Sequence, residues 1–108
     1  MKHKEMIKLM NNIHNKIIKT HTQGQKEYAR DTDNVFANFE RIANDMHLTR
    51  EMVLWIYLYK HIDGIKAYIE GHESQREDVR GRITDAIVYL QILWGMINDS
   101  INKYEEIK

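Results

Sequence analysis

Asp85 is the residue of this sequence whose type and position point most directly to chemistry. It lies within residues 77–97, the most apolar part of the chain, among isoleucine, alanine and valine side chains. A carboxylate in such surroundings must be paired, bound to a metal or placed at the wall of a cavity. On a helix, Asp78, Arg82, Asp85 and Tyr89 share one polar stripe, because they recur at spacings of 4, 3 and 4. The stripe indicates either a tolerated ion pair between Arg82 and Asp85 or a functional site, and both interpretations stay open.

Lys60 and Asp63 form a second candidate group, one helical turn apart in the sequence YKHIDG. One interpretation is an ion pair on the surface, which would add only a few tenths of a kcal/mol. The other is a shared site, in which both residues converge with Arg82 and Asp85 between the third and fourth helices. We expect Arg30 or Asp31 to join them there.

The polar segment KEYARDTDN precedes the second predicted helix and also has two interpretations. In the first, it only caps the helix, with Asp31 or Asp33 accepting hydrogen bonds from the first backbone N–H groups. In the second, Tyr28, Arg30, Asp31 and Asn38 form one wall of a ligand site.

The elements that must position these residues are predicted to be helices. The chain of 108 residues contains no proline and five glycines, and isoleucine, methionine, lysine and glutamate are abundant. This composition favours helix throughout, and the length suits one domain with a modest core. The predicted fold is therefore an all-α bundle of four to five helices.

A first helix is predicted over residues 3–20. Met6, Met10, Ile13 and Ile17 recur at spacings of 4, 3 and 4 and are expected to form its buried stripe. The segment THTQGQ, centred on a glycine, predicts a break over residues 20–25.

Three more helices follow. Apolar residues over 35–46 recur at helical spacing and predict the second. The third is expected to begin after Thr49, a good N-cap, and to stop at Gly71. Residues 74–77, SQRE, fit a capping box and open a last helix over residues 75–106.

The composition excludes several classes of function. A formal net charge of zero argues against generic nucleic-acid binding through bulk charge. The absence of cysteine excludes disulfides and thiolate chemistry and fits a reducing cytoplasm. The first residues lack the continuous apolar core of a signal peptide. The longest charge-free apolar run, residues 86–97, is shorter than the roughly 20 residues that a membrane span needs. We expect a soluble, cytoplasmic protein that does not engage a membrane.

Residues 86–97 are apolar on nearly every side of the predicted helix. A short bundle cannot bury all sides of one helix, so another chain is expected to cover one of them. The sequence thus predicts a homodimer or higher oligomer assembled through the last two long helices.

The order of the motifs YARDTDNVFANFERIA, LYKHIDGI and GRITDAIVYL resembles small phage-encoded proteins related to the nucleotide-modification-associated domain family. More remotely, it is similar to the MazG-like all-α NTP pyrophosphohydrolases. The resemblance covers residues 27–97 of a single domain and leaves the first helix, 1–24, and a helical tail, 98–108, outside it.

The resemblance implies a magnesium site and a nucleotide ligand. In MazG-like enzymes, acidic residues on two neighbouring helices hold Mg²⁺, which bridges the phosphates and activates a water. By position, Asp63 and Asp85 are the implied metal ligands and catalytic residues, and Glu77 is a further ligand. The types and positions of five further residues predict contact with the nucleotide or its phosphates, and these are Lys60, Arg82, Arg30, Tyr28 and Asn38.

The chain departs from the MazG-like pattern at Arg82, which stands where that group has an acidic residue one turn before the final aspartate. Arginine suits direct phosphate contact better than metal binding. Three functions therefore stay open. They are a magnesium-dependent (d)NTP pyrophosphohydrolase, a nucleotide-binding protein that sequesters or senses without turnover, and a helical protein-interaction module without a nucleotide.

Overall fold

The computed structural model describes residues 1–30, 32–73 and 78–107, and within them the chain forms four α-helices and no strand. The predicted all-α bundle is confirmed. The four helices are α1 (His3–Tyr28), α2 (Ala37–Met46), α3 (Arg50–Ile69) and α4 (Val79–Ile107). Across the described residues, no helix combines the length and apolarity that a membrane span requires.

Helices α3 and α4 form an antiparallel hairpin, which is the largest helix interface of the fold. The direction follows from contacts at the two ends. Arg50, at the start of α3, reaches Met96 late in α4, whereas Gly64 lies beside Arg82 early in α4. Helix α1 packs against α4, and α2 packs against α3.

Helix α1 differs from its prediction in length and in burial. It continues without a break through Gly24 to Tyr28, so the expected interruption over residues 20–25 is wrong. A glycine inside a helix costs roughly 1 kcal/mol relative to alanine. Packing of this part of α1 against the bundle offsets that cost, because Thr20 and Gly24 are half-buried. Of the four residues expected to be buried along α1, only Ile17 is buried.

The start of α2 is organised by Asn34 rather than by an aspartate. The Asn34 side chain accepts a hydrogen bond from the backbone N–H of Phe36 at 3.0 Å and donates one to Glu40 Oε1 at 2.6 Å. Capping by Asp33 is thus not observed, and Asp31 lies outside the described residues.

The predicted ends of α3 are confirmed. Thr49 Oγ1 accepts a hydrogen bond from the backbone N–H of Met52 at 3.2 Å, as an N-cap should. At the other end, Gly71 adopts a φ of 101°, a left-handed conformation that glycine enters without strain. The capping box predicted over residues 74–77 lies outside the described residues, and α4 begins at Val79.

The core is centred where α2 meets the α3–α4 hairpin. Phe39, Ala43, Val53, Leu54 and Met96 form its buried cluster. Aromatic rings extend this cluster toward the middle of the hairpin, where the Phe39 ring packs edge-on against two tyrosine rings at centroid distances of 6.3 and 6.1 Å.

Arg50 joins three helices through one guanidinium group. Its Nη2 donates to the Met96 carbonyl and to Asp99 Oδ2 on α4, both at 3.1 Å. Its Nη1 lies 3.4 Å from Glu40 on α2, and its Cζ lies 4.7 Å from the centroid of the Phe36 ring. Burial opposes the charge, but hydrogen bonds and ion pairs with Asp99 and other acids outweigh it and raise the pKa of Arg50. The side chain is only 13% exposed, so these contacts are shielded from water.

We expect Arg50→Ala to lower the free energy of unfolding by about 2–3 kcal/mol, because several hydrogen bonds to charged groups are lost in a partly buried place. Urea unfolding at a fixed protein concentration measures the change. Arg80→Ala is the matched control, since the Arg80–Asp78 pair is solvent-exposed and should contribute little to stability. Equal losses in the two variants would show that Arg50 does not tie the helices together.

The same network predicts a loss of stability in acid. Hydrogen bonds from Lys103 and Arg50 hold the pKa of Asp99 below its usual value of 3.8. Because the pKa of Asp99 is lower in the folded state, its carboxylate stabilises that state at pH values above the pKa of the unfolded chain. This stabilisation is lost as the pH falls through the pKa of the folded state. We expect the urea concentration at the unfolding midpoint to decrease when the pH is lowered below about 4. The decrease should be less steep in Asp99→Asn. Parallel acid profiles for the two proteins would contradict this role of Asp99.

Candidate functional site

A cleft of about 290 Å³ opens between the C-terminal part of α1, the start of α2 and the middle of α4. Its apolar side is formed by Phe39, Val88 and Ile92, among others. Three of the predicted site residues line it from three different parts of the chain, and these are Tyr28, Asn38 and Asp85. The cleft is therefore the place where the structure gathers part of the predicted site.

The continuous helix α1 builds one wall of this cleft. Thr20, His21 and Gly24 lie along that wall, within the segment that was predicted to be a break. Gln25, also at the wall, donates to the Thr32 carbonyl at 3.2 Å and so holds the loop after α1 against the helix. The wall depends on α1 keeping its helical phase through Gly24.

Arg41 ties the start of α2 to the end of α1. Its Nη2 donates to Asn38 Oδ1 at 2.9 Å and to the backbone carbonyl of Tyr28 at 3.3 Å. One guanidinium group thus orients the Asn38 amide and anchors the end of α1 that carries Tyr28. Arg41 positions cleft residues and is not itself among those that line the cleft.

Asp85 faces α3 as well as the cleft. The His61 Nδ1 atom lies 3.8 Å from Asp85 Oδ2, which is longer than a hydrogen bond. This nitrogen is buried and has no hydrogen-bond partner within the described part of the chain. The His61 ring also lies 5.5 Å from the Tyr89 ring, centroid to centroid. A carboxylate, an imidazole and a phenol are thus grouped where α4 meets α3, and two of them, Asp85 and Tyr89, line the cleft.

Tyr89 remains a neutral hydrogen-bond donor at physiological pH. Burial, the nearby Asp85 charge and the neighbouring Tyr57 and Tyr28 raise the pKa of Tyr89 to about 12. The Tyr57 ring stacks on the Tyr89 ring at 6.3 Å with an interplanar angle of 12°, which keeps water away from one face. Ionising the phenol beside a carboxylate in this shielded place is unfavourable.

Arg82 lies against α3 because residue 64 is a glycine. A Cβ atom at Gly64 would come within 2.7 Å of Arg82 Nη1 and 2.8 Å of its Cδ. The Arg82 side chain therefore crosses α3 where no side chain projects. It lies beside the hairpin and is not among the residues that line the cleft.

The structure does not bring Lys60 and Asp63 to Asp85. Both side chains are exposed. His61 points at α4, and Asp63, two residues later, lies about 200° around the helix axis from it. His61, rather than Asp63, is the residue of α3 that faces Asp85, because the two residues point to different sides of the helix. The roles suggested for Lys60 and Asp63 stay predictions.

The remaining predicted residues lie at or beyond the cleft margin. Arg30 is exposed and adopts a φ of 51°, directly after Ala29, which lines the cleft. Asp31 and Glu77 lie outside the described residues. Within residues 1–30, 32–73 and 78–107, no three histidine or acidic side chains are grouped as a metal site would need.

His61 is the main residue of the region that the sequence patterns did not single out. A signal for it exists, since His61 follows Leu54 by seven residues and Tyr57 by four, which places all three on one helical face. The buried Leu54 and the half-buried Tyr57 mark that face as the one against α4.

Comparison of the chain with protein-family models, with curated proteins and with solved structures finds no match in any of the three. The candidate site is therefore defined by its own geometry.

We expect Asp85→Asn to lower the pKa of Tyr89 from about 12, because the substitution removes a negative charge and keeps the side-chain shape. A spectrophotometric titration of tyrosinate measures this, with Tyr89→Phe identifying the late-titrating group. Burial alone keeps the pKa of Tyr89 above 10.0 in the variant. An unchanged titration in Asp85→Asn would place the carboxylate too far from the phenol to influence it.

Proposed function

We propose that this protein binds a nucleotide or nucleoside in the cleft and holds it without turnover, as a sequestering or sensing protein of the cytoplasm. The observation that carries the proposal is that Tyr28, Asn38 and Asp85 line one cleft, although they come from three separate helices. The motif resemblance to nucleotide-handling MazG-like proteins supports the same class of ligand.

The cleft chemistry suits a planar heteroaromatic base. An apolar side that includes Phe39 accepts a flat ring, and the half-exposed Tyr28 is able to stack on its face. Asp85 accepts hydrogen bonds from ring and exocyclic N–H groups, and Asn38 supplies an amide that pairs with a base edge. Bases that present adjacent N–H donors fit Asp85 best.

The phosphates would lie at the margin of the cleft, near Arg30, rather than beside Asp85. Asp85 and Glu27 both line the cleft, and their carboxylates repel an uncomplexed phosphate. Arg30 follows the cleft residue Ala29 and is exposed, which suits a phosphate group directed outward. Binding of this kind requires no metal.

Magnesium-dependent hydrolysis is the alternative that the same residues allow. Asp85 and Glu27 would be the carboxylates available to Mg²⁺ within the cleft, and the cation would bridge them to the phosphates. Hydrolysis would then require Mg²⁺ for binding as well as for turnover, which separates it from the proposed function.

We expect a nucleotide or nucleoside to raise the melting temperature without Mg²⁺ in a thermal-shift panel, because a ligand of the native state stabilises it. Calorimetry should then show Asp85→Asn binding at least roughly tenfold more weakly, since a hydrogen bond to a charged group contributes about 1.5–3 kcal/mol. Asp45→Asn, which removes an exposed carboxylate on α2, is the matched control and should bind normally.

Three other results would redirect the proposal. Release of pyrophosphate from a (d)NTP with Mg²⁺, abolished in Asp85→Asn, would establish the hydrolase. Binding that is equal in Asp85→Asn and Asp45→Asn would place the ligand outside the cleft. No shift with any nucleotide would leave the helical interaction module as the function.

A further inference from the structure

Helix α4 carries an apolar stripe that no other described helix of the chain covers. Its seven residues recur at spacings of 4, 3, 4, 3, 4 and 3, the heptad pattern of a coiled-coil seam. All except one are exposed large hydrophobic residues, and Trp94 is 76% exposed. The stripe consists of Ile83, Ile87, Leu90, Trp94, Ile97, Ile101 and Tyr104.

Helix α3 continues this surface on the same side of the hairpin. Ile62 directly follows His61, which faces α4, and so lies about 100° around α3 from that direction. Leu90 directly follows Tyr89, which faces α3, and is displaced by the same angle around α4. Because the two helices run in opposite directions, a step of one residue along each chain turns both side chains toward the same side of the hairpin. Ile62 and Leu90 therefore lie on the same side. Trp55 and Ile69, spaced seven residues from Ile62, extend the row.

The opposite side of the hairpin is already occupied. Val53, one residue before Leu54, belongs to the core cluster with α2, and Val88, one residue before Tyr89, lines the cleft. The α4 stripe and the α3 row of Trp55, Ile62 and Ile69 therefore form one open face, directed away from α1, α2 and the cleft. We call it the hairpin face.

The hairpin face is larger than an isolated monomer normally exposes. Its two tryptophans are 56% and 76% exposed, and most of its aliphatic residues are about half exposed. Together they present on the order of 1,000 Å² of mostly apolar surface, against about 300–600 Å² for the largest patch on a typical monomer. A standard interface buries about 800 Å² on each partner. The face has the area that a stable dimer needs.

We infer that the hairpin face binds a second copy of this chain, with the two α4 helices antiparallel across a two-fold axis near Trp94. A heptad seam is complementary to a helix, and an isologous contact needs a surface that matches itself. The chain has no net charge, so two copies do not repel each other as a whole.

Charge at the ends of the hairpin face favours the antiparallel orientation. Acidic Glu105 lies toward one end of the stripe, four residues after Ile101. Basic Lys66 lies toward the other end, four residues after Ile62, where Arg80 is already paired with Asp78. A two-fold axis near Trp94 places each acidic end against the basic end of the partner copy. A parallel arrangement would place like charges together at both ends.

The first test is the oligomeric state of the full chain by sedimentation at micromolar concentration. We expect a dimer for the wild type and a monomer for Trp94→Glu, because a carboxylate at the centre of an apolar interface raises the dimer dissociation constant by about a hundredfold or more. Met46→Glu is the matched control, since Met46 is exposed on α2 outside the hairpin face, and it should remain dimeric. Unchanged far-ultraviolet circular dichroism would show that Trp94→Glu still folds.

Tryptophan fluorescence provides an independent measurement, because both tryptophans of the chain lie on the hairpin face. Diluting the wild type should shift its emission to longer wavelength, whereas Leu90→Glu should emit at the long wavelength at every concentration. A wild type that sediments as a monomer at micromolar concentration, or a Trp94→Glu variant that stays dimeric, would overturn the inference.

Cross-linking tests the orientation, and the chain contains no native cysteine to interfere. Mixing Arg80→Cys and Glu105→Cys proteins under oxidising conditions should give the mixed disulfide dimer. Self-linked Glu105→Cys dimers in its place would show a parallel pair and overturn the antiparallel arrangement. The cleft lies on the other side of the hairpin, so the monomeric Trp94→Glu variant should still bind the ligand. Dimerisation and ligand binding are therefore tested independently of each other.

Discussion

The antiparallel pairing of α3 and α4 is the constraint on which the rest of this structure depends. Arg50 fixes one end of the pair by bonding the Met96 carbonyl and Asp99. At the other end, the missing side chain of Gly64 admits Arg82 against α3. With both ends held, the rotation of each helix about its own axis is fixed, and every residue of the hairpin acquires a defined side.

Three consecutive residues of α4 illustrate this division. Val88 lines the cleft, Tyr89 packs against α3, and Leu90 is exposed on the hairpin face. A helix that is apolar all round can therefore serve three purposes, and the rotational position of each side chain decides which one it serves. In the proposals made above, the cleft side holds a ligand and the open side holds a second copy, so the two functions do not compete for surface.

Asp85, His61 and Tyr89 lie close together in a partly buried place, so their charges and protonation states influence one another. Burial and the Asp85 carboxylate raise the pKa of Tyr89, so its phenol stays a donor. His61 leaves a buried nitrogen without a hydrogen-bond partner within the described residues, close to Asp85.

The sequence by itself determined the helical class, the start and end of α3 and the unusual surroundings of Asp85, because local propensity, capping and a carboxylate among apolar residues act over short distances. The tertiary structure alone decided whether α1 would break at Gly24 and which acids would meet. Packing offsets the local cost of the glycine, which no sequence pattern reports. Asp63 and His61 are two residues apart, and only the rotation of α3 against α4 determines that the imidazole, and not the carboxylate, faces Asp85.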